Sequence, residues 1–294
     1  MTQLVALLGH PVGHSISPAF QQAALDACGL DARYEAWDVP PAELRSAVER
    51  LRGGDLLGAN VTVPHKVATL GLVDRPDPAA ERTGAVNTVV NRGGLLEASN
   101  TDVAGVRGAL LDAGAPVEGE RVVLLGAGGA ARAVVVALAS MGAAALTVAN
   151  RTPARAEPLR GLGGDALSVA ICPLGEGSEE LRSALSEAAL VIHSTPLGMR
   201  HGADEGRSLL TGSAFRPGQV AFDLVYNPER TPFLAEAERG GARAVGGLAM
   251  LVHQGAASFR LWTGIEPPLD VMFEAARAAI EGRSGERSAA PGAR

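Results

Sequence analysis

The sequence is poor in cysteine and in aromatic residues. It has two cysteines in 294 residues and no CxxC pair, so a disulfide framework is excluded and we expect a reducing compartment and no bound metal. Aromatic residues make up 3 % of the chain and the formal charge is −6, whereas binding to nucleic acid or anionic membranes needs stacking platforms or basic surface. These shortages argue against a protein that binds nucleic acid or anionic membranes.

Lysine is almost absent as well. Of the 26 basic residues 25 are arginine, and Lys66 is the single lysine. The base composition of the gene is the simplest explanation of such a bias. A lysine that persists against the bias is notable, because an ammonium can give up its proton whereas a guanidinium cannot. Lys66 is therefore the first candidate for acid/base chemistry.

The chain lacks the marks of a secreted or membrane protein. No basic residue precedes Arg33, so a signal peptide is not indicated and we expect a cytoplasmic protein. One uncharged run of 18 residues, Ala133–Asn150, has the length of a membrane span. Met141-Gly142 divides it into an alanine-rich helical part and a strand-like LTVAN, so we predict a helix, a turn and a strand.

Hydrophobic residues make up 47 % of the chain and recur in alternating strand-like and helix-like segments. Such alternation predicts an α/β fold with a mostly parallel sheet covered by helices. The pattern breaks at 115–120, after which a second series begins. Two consecutive helices are predicted at Leu248–Thr263 and Pro268–Ile280, and residues 283–294 are predicted to be a flexible tail.

A glycine-rich loop opens the second series. The strand Val122–Leu125 leads into GAGGAA at Gly126–Ala131 and then into an apolar helix, which is the context that the GxGxxA pattern requires. Gly126 permits the tight turn, Gly128 lets the backbone approach a pyrophosphate, and Ala131 allows close helix–sheet packing. The N-terminus of the helix offers N–H donors to phosphate. We therefore predict a Rossmann-type dinucleotide-binding domain.

The end of the next strand bears on the choice of dinucleotide. NAD-binding domains place an acid there against the ribose, whereas this chain has Asn150-Arg151-Thr152, with Arg155 one helical turn later. A guanidinium binds a 2′-phosphate through charge-assisted, forked hydrogen bonds, and an acid would repel it. The alternative is that both arginines are solvated surface residues. We predict NADP as the cofactor.

Polar side chains cluster at four predicted strand–helix junctions of the first half, where open α/β sheets bind ligands. Each cluster could be an ordinary helix cap, as a serine before proline often is. Together they offer hydroxyl, amide, amine and carboxylate groups, which suit a polyhydroxylated acid. The clusters are His14–Pro18, Asn60–Lys66, Asn87-Thr88 and Asn100–Asp102.

Lys66 and Asp102 are a candidate acid/base pair. Reduction of a ketone needs a hydride on carbon and a proton on the new alkoxide, and an ammonium near the carbonyl oxygen gives the proton and stabilises the developing charge. Asp102 would orient the amine. A carboxylate neighbour favours the charged lysine, whereas oxidation of an alcohol needs the neutral amine, and the sequence leaves this balance open.

Nine motifs follow one another between Leu8 and Ile265: GHPVGHSISP, NVTVPHK, GAVNT, NTD, GAGGAARA, NRT, STPLGM, DLVYNP and GLAMLVHQGAASFRLWTG. Together they resemble the shikimate dehydrogenase family. The resemblance implies an NADP-dependent oxidoreductase that reversibly reduces 3-dehydroshikimate to shikimate in chorismate and aromatic amino-acid biosynthesis. It also implies two α/β domains with the active site in the cleft. Residues 1–103, completed by 248–282, would be the substrate-binding domain, and 104–247 the Rossmann-type NADP-binding domain.

The resemblance implies roles for individual residues. Ser15 and Ser17 match serines that bind the substrate carboxylate, and Tyr226 matches a tyrosine near it. Lys66 matches the catalytic lysine, which also contacts the substrate, with Asp102 beside it. The matches to groups that bind ring hydroxyls are Thr62, Asn87, Asp102 and Gln254. The matches to the NADP site are Gly126, Ala127, Gly128, Gly129, Ala130, Ala131, Asn150, Arg151, Thr152 and Arg155, followed along the nicotinamide by Thr195, Met199, Leu224, Gly247 and Met250.

Three alternatives stay open at this point. A quinate/shikimate dehydrogenase that uses NAD is disfavoured by the paired serines of HSIS and by Arg151. A glutamyl-tRNA reductase needs a cysteine nucleophile, and Cys28 lies in a predicted helix without activating neighbours. A non-catalytic paralogue need not retain both Lys66 and Asp102. The expected partner is the small-molecule substrate, with neither nucleic acid nor membrane, and the expected state is a monomer or homodimer.

Overall fold

The computed structural model describes residues 2–175, 177–200, 202 and 204–286. They form two compact units: the first combines the residues up to Thr101 with those from Val252 onward, and the second is Asp102–Leu251. The strands are β1 (Gln3–Gly9), β2 (Ala32–Asp38), β3 (Leu56–Val61), β4 (Arg75–Pro76), β5 (Thr88–Arg92), β6 (Leu95–Ser99), β7 (Arg121–Leu125), β8 (Ala145–Asn150), β9 (Ser168–Pro173), β10 (Leu190–His193), β11 (Val220–Asp223) and β12 (Arg243–Val245). The α-helices are α1 (Ser17–Ala27), α2 (Leu44–Arg50), α3 (Lys66–Thr69), α4 (Pro78–Thr83), α5 (Asp102–Asp112), α6 (Gly129–Ser140), α7 (Glu179–Glu187), α8 (Pro232–Arg239), α9 (Leu248–Thr263) and α10 (Leu269–Glu286).

The first unit contains a six-stranded sheet of order β2-β1-β3-β5-β6-β4. β1 is parallel to β2 and β3, whereas β5 is antiparallel to both β3 and β6. The hairpin between β5 and β6 turns at Gly93-Gly94, both of which have positive φ. Because a hairpin joins two of its strands, this sheet is mixed rather than parallel throughout.

β1 lies at the centre of the core of the first unit. Val5–Leu8 are at most 2 % exposed, as expected for an inner strand that is covered on both faces. On one face Ala6 and Leu8 share an apolar cluster with Val48 and Leu51, the latter just after α2. The C-terminal helices complete the unit, because α10 packs against α1.

The second unit contains a doubly wound sheet of order β12-β11-β10-β7-β8-β9, in which every pair of neighbours is parallel. β7 lies in the middle, and its side chains alternate between two cores: Val122 and Leu124 on one face, Val123 and Leu125 on the other. This alternation follows from the two-residue period of a strand with helices on both faces. The carboxyl ends of β7, β8, β10 and β11 therefore meet at one edge of the sheet.

Several elements differ from the sequence-based predictions. The strands β4 and β12, of two and three residues, and the six-residue helix α4 were not predicted, because such short elements carry too little periodicity to recognise. The segment after Pro153, where the alternation of strands and helices predicts an α-helix, forms 3₁₀ turns at Pro153–Arg155 and Glu157–Ala166. Gly164 within it has φ 58° and ψ −150°, a non-helical conformation that prevents a continuous α-helix.

Two further expectations concern the uncharged run and the tail. The run at 133–150 forms the end of α6, a turn and β8, as predicted, and within the described residues no helix has the length and apolarity to cross a bilayer. The tail was predicted to begin at 283, whereas α10 continues to Glu286. Residues 287–294 lie outside the described part of the chain.

Candidate functional site

The first predicted ligand group lies at the start of α1, just after β1. Ser15 Oγ accepts a hydrogen bond from Ser17 N at 3.2 Å, and Ser17 is 7 % exposed. The helix cap itself is Ile16, which forms no side-chain cap hydrogen bond. Neither serine is therefore the N-cap residue of α1, and the hydroxyl of Ser15 lies next to the backbone N–H of Ser17 at the start of the helix.

The second group lies in the turn between β3 and α3. Thr62 N donates to Leu8 O at 2.8 Å, and His65 N donates back to Thr62 O at 2.9 Å, which fixes a tight turn after the strand. His65 is 2 % exposed, and its Nε2 lies 2.7 Å from Val39 O, so this histidine has a structural role. Lys66 is the first residue of α3 and is half-buried. The turn thus presents Thr62 and Lys66 from one short, braced segment.

The third group is organised around Asn87. Its Oδ1 accepts from Thr101 N at 2.7 Å, which directs its NH2 end toward Gln254, where Nδ2 lies 3.3 Å from Oε1. Asn87 is 1 % exposed, so this orientation is held inside the protein. Gln254 lies on α9, so a helix from the end of the chain contributes to a group formed by its first hundred residues, as the resemblance implied.

A buried hydroxyl cluster supports Asn87. We call Thr88, Thr101 and Ser258 the hydroxyl triangle; their Oγ atoms lie 2.7, 3.0 and 3.1 Å apart and the three residues are at most 4 % exposed. Asn60 Nδ2 donates to Ser258 Oγ at 3.0 Å, and Tyr34 OH donates to Asn60 Oδ1 at 2.8 Å. Burial raises the pKa of the Tyr34 hydroxyl, which keeps it protonated as this donor. Sequence analysis did not single out Ser258.

Asp102 begins α5 and is 5 % exposed. It is the first residue of the second unit, and it follows directly after Thr101, whose backbone N–H binds Asn87. Its carboxylate lies at the N-terminus of a helix, which stabilises negative charge.

The dinucleotide loop of the second unit has the geometry that the motif requires. Gly126 has φ +106°, and a Cβ there would lie 2.7 Å from Thr195 Cγ2 and 2.9 Å from Ser194 Oγ, so only glycine fits. Gly128 caps α6, with no side chain above the helix N-terminus, and Ala131 is fully buried against the sheet. The glycines, the open N-terminus of the helix and the close helix–sheet packing are the features by which such loops bind a pyrophosphate.

The end of β8 opens on a cavity of about 1110 Å³ whose lining includes Asn150, Arg151 and Thr195. Asn150 Nδ2 donates to Thr152 O at 2.8 Å and so braces the turn that carries Arg151. Arg155 lies on the following 3₁₀ turn and is exposed. The residues at this strand end thus fit a phosphorylated ribose, since they offer an arginine and no acid.

The remaining predicted cofactor positions lie around β10, β11 and α9. Gly247 packs against the turn after β11, since a Cβ there would lie 2.4 Å from Leu224 O. Met199 is 41 % exposed, whereas Met250 is 8 % exposed and packs in the core of the second unit. Tyr226, which the resemblance placed near the substrate carboxylate, is half-buried in the turn after β11.

Sequence analysis missed a buried pair in this unit. His193 ends β10 and Asp223 ends β11, the two residues are directly paired in the parallel register, and both side chains are fully buried. His193 Nδ1 lies 2.9 Å from Asp223 Oδ1, and its Nε2 lies 2.6 Å from Thr195 Oγ1. The signal in the sequence that could have indicated this pair is a histidine and an aspartate near the ends of two successive strand-like segments.

The fold and these groups define a class. A doubly wound parallel sheet with a GxGxxA turn after its central strand is a dinucleotide-binding domain. The other unit carries a lysine among hydroxyl and amide groups, as in two-domain α/β oxidoreductases.

Comparison with known proteins then gives the family. Profiles described as the shikimate dehydrogenase substrate binding domain, shikimate/quinate 5-dehydrogenase and the shikimate 5′-dehydrogenase C-terminal domain match residues 7–89, 111–198 and 247–277. The chain belongs to the shikimate dehydrogenase family.

Individual relatives agree with that assignment. A shikimate dehydrogenase (NADP(+)) of Moorella thermoacetica is 48 % identical over 97 % of this chain and 96 % of its own. The structure of shikimate 5-dehydrogenase from Thermus thermophilus with NADP(H) and shikimate is 41 % identical, with a TM-score of 0.84 over 94 % of this chain and 99 % of that one. A quinate dehydrogenase from Corynebacterium glutamicum with NAD is 30 % identical, with a TM-score of 0.85 over 94 % and 99 %. The backbone is therefore shared between the two specificities, and side chains must distinguish them.

Proposed function

We propose that the protein catalyses the reversible, NADP-dependent reduction of 3-dehydroshikimate to shikimate, a step in chorismate and aromatic amino-acid biosynthesis. The observation that carries the proposal is that each unit presents its motif residues at the carboxyl ends of parallel strands: Thr62 and Lys66 after β3, and Gly126–Ala131 after β7. Open α/β sheets bind their ligands at these ends. The identity of 48 % to a shikimate dehydrogenase (NADP(+)) over 97 % of the chain supports the same activity.

The substrate is held by groups of matching polarity. The hydroxyls of Ser15 and Ser17, at the start of α1, donate to the carboxylate, which the helix N-terminus also favours. The ring hydroxyls bind Thr62 and the oriented amides of Asn87 and Gln254. Asp102 accepts from a further hydroxyl, and Tyr226 lies near the carboxylate. These roles follow the family motifs, and the hydrogen bonds that orient Asn87 support them.

Lys66 carries the proton. When bound, NADPH supplies a hydride to the ketone carbon, and the carbonyl electron pair moves to oxygen. The Lys66 ammonium stabilises that developing alkoxide and then transfers a proton to it from Nζ, which leaves a neutral amine and an alcohol. In the oxidation direction the neutral amine accepts the hydroxyl proton. That Asp102 orients the amine stays a prediction.

Arg151 selects NADP. Its guanidinium forks to the 2′-phosphate, with Arg155 as a second cation and Asn150 and Thr152 shaping the turn. The backbone around Gly126–Ala131 holds the pyrophosphate, and Thr195, Met199, Leu224, Gly247 and Met250 extend the site along the rest of the dinucleotide. The cavity beside Arg151 supports this placement of the phosphorylated ribose.

A reducing compartment suits the described thiols. Cys28 and Cys172 are both free, and burial raises the pKa of the Cys172 thiol, which makes it less reactive. We propose a cytoplasmic enzyme that is a monomer or a homodimer, with the substrate as its small-molecule partner.

The test is a matrix of two cofactors and two substrates. Initial rates with NADP or NAD and with shikimate or quinate are followed at the reduced-nicotinamide absorbance. We expect the highest kcat/KM for NADP with shikimate. A preference for NAD with quinate would instead support the alternative of a quinate/shikimate dehydrogenase, and activity with none of the four pairs would contradict the assignment as an enzyme.

A further inference from the structure

The buried pair His193 and Asp223 has no role in the reaction described above. Neither side chain is exposed, so neither meets solvent or a ligand directly. A buried ionisable pair at the ligand-binding edge of a sheet calls for an explanation, because burying charge is costly unless every group is partnered. The third member of the arrangement, Thr195, is half-buried and lines the cavity.

Asp223 acts only as an acceptor. Its Oδ1 accepts from Val225 N at 2.9 Å, and its Oδ2 accepts from Thr231 Oγ1 at 2.6 Å. Thr231 Oγ1 in turn accepts from Leu234 N at 3.2 Å as the cap of α8, so its single proton is the one given to Asp223. This environment suits a carboxylate, and a carboxylate can only accept. His193 Nδ1, 2.9 Å from Oδ1, must therefore be the protonated nitrogen.

The tautomer of His193 determines the direction of the next hydrogen bond. In a neutral ring with a proton on Nδ1, Nε2 is a bare acceptor. Thr195 Oγ1, 2.6 Å away, donates its only proton to Nε2 of such a neutral ring, whereas a charged ring would donate from Nε2 to Oγ1. One lone pair of Thr195 Oγ1 accepts a hydrogen bond from Leu197 N at 3.3 Å. The second lone pair of Oγ1 can then accept a hydrogen bond from another donor.

We infer that His193 and Asp223 are positioning residues that hold the Thr195 hydroxyl as a hydrogen-bond acceptor for an O–H or N–H donor of the bound dinucleotide. The inference rests on the proposed binding of NADP. Thr195 stands beside the first glycine of the dinucleotide loop, since its methyl group would lie 2.7 Å from a Cβ at Gly126. The ionised pyrophosphate offers no donor, so the partner is a ribose hydroxyl, the adenine amine or the amide N–H of the carboxamide.

Cofactor binding to Thr195→Val and Thr195→Ser tests the inference. Valine has the shape of threonine without the hydroxyl, and serine keeps the hydroxyl. Calorimetric titration of the enzyme with NADP⁺ should show affinity about 3- to 10-fold weaker for the valine variant, the loss of one neutral hydrogen bond, and within about twofold of wild type for serine. Wild-type affinity in the valine variant would overturn the inference, whereas absence of NADP⁺ binding to wild type would overturn the proposed function instead.

A cofactor analogue separates the carboxamide from the other donors. In the 3-acetylpyridine analogue of NADP⁺ a methyl group replaces the carboxamide NH2. If the carboxamide is the donor, Thr195→Val should bind this analogue as wild type does. If a ribose hydroxyl or the adenine amine is the donor, the affinity of the variant should fall by the same factor for the analogue as for NADP⁺.

The role of His193 needs its own readouts. In wild-type protein with ¹⁵N-labelled histidine, the ring resonances assigned by comparison with His193→Gln should show a protonated Nδ1 and a bare Nε2 near neutral pH. A proton on Nε2 would overturn the inference. His193→Gln should also weaken NADP⁺ binding in the wild-type background and leave it unchanged in the Thr195→Val background. An equal loss in both backgrounds would show that His193 is merely structural.

Discussion

The side-chain amide of Asn87 donates to Gln254 Oε1 at 3.3 Å, although 167 positions separate the two residues in the chain. Because Thr101 N occupies Asn87 Oδ1, the amide has one orientation, and Gln254 acts as its acceptor. We therefore propose that the NH2 end of Gln254 binds an oxygen of the substrate. The pair joins the first hundred residues to the C-terminal helix α9 within one unit.

Gln254→Ala should raise KM for shikimate about 3- to 10-fold, because one hydrogen bond to a hydroxyl distant from the reacting carbon is lost. The KM for NADP serves as the internal control and should not change. Steady-state kinetics with each ligand varied in turn provides the measurement. A fall in kcat at constant KM would place Gln254 at the reacting centre instead.

Ser15→Ala and Ser17→Ala should mainly raise KM for shikimate, because the carboxylate is bound about equally in the ground state and the transition state. The matched control is Ser46→Ala, since Ser46 is an exposed serine of α2 whose hydroxyl donates to the nearby Glu43 carbonyl. Unchanged KM in both serine variants would remove these residues from the carboxylate site.

Arg151→Ala should lower kcat/KM for NADP about 10- to 100-fold, the equivalent of one hydrogen-bonded charge pair partly screened by solvent. The already slow reaction with NAD should hardly change, because NAD has no 2′-phosphate to lose. Arg182→Ala is the matched control, since this arginine of α7 lines the same cavity. Equal losses for both cofactors in Arg151→Ala would show that Arg151 supports the loop instead of binding the phosphate.

The stability of the first unit should depend on pH through Asp74. Arg52 donates to both of its carboxylate oxygens, at 2.5 and 3.1 Å, and Leu96 N donates at 2.7 Å. The hydrogen bond from Arg52 is the main cause that lowers the pKa of Asp74 below its ordinary value of 3.8. A lowered folded-state pKa stabilises the protein above the unfolded value, and this stabilisation is lost as the pH falls through the folded value.

Asp74→Asn should therefore lower Tm near neutral pH, and the difference from wild type should shrink as the pH falls below about 4. Asp31→Asn, which changes an exposed carboxylate, is the matched control. Thermal denaturation across the pH range is the measurement. A constant Tm difference at every pH would mean that the loss is due to geometry and not to charge.

The sequence was sufficient for the family, the two-domain α/β fold and most elements of the second unit. Each of these depends on a local pattern: Val122–Leu125 before Gly126–Ala131 gave the strand, the turn and the helix, and the structure confirms all three. The sequence did not predict the 3₁₀ segment at Glu157–Ala166, because its glycines prevent an α-helix without changing the apolar pattern of the residues around them.

The hydrogen-bond networks could not be predicted in the same way. Ser258 meets Asn60 across 198 positions, and His193 meets Asp223 only because β10 and β11 are neighbours in register. Such pairs depend on strand order and helix placement, which no single-chain periodicity encodes. A buried serine on a helix and a histidine at a strand end are ordinary core residues until the fold brings their partners together.

The most direct test of the account is the rate of 3-dehydroshikimate reduction by NADPH in Lys66→Ala and Lys66→Arg. Lys66 is the single lysine of the chain and the proposed proton carrier. We predict that kcat falls about 10²- to 10⁴-fold in the alanine variant with little change in KM, and that arginine restores little of it, because a guanidinium does not exchange the proton. Near-normal kcat in a folded Lys66→Ala protein would contradict the account.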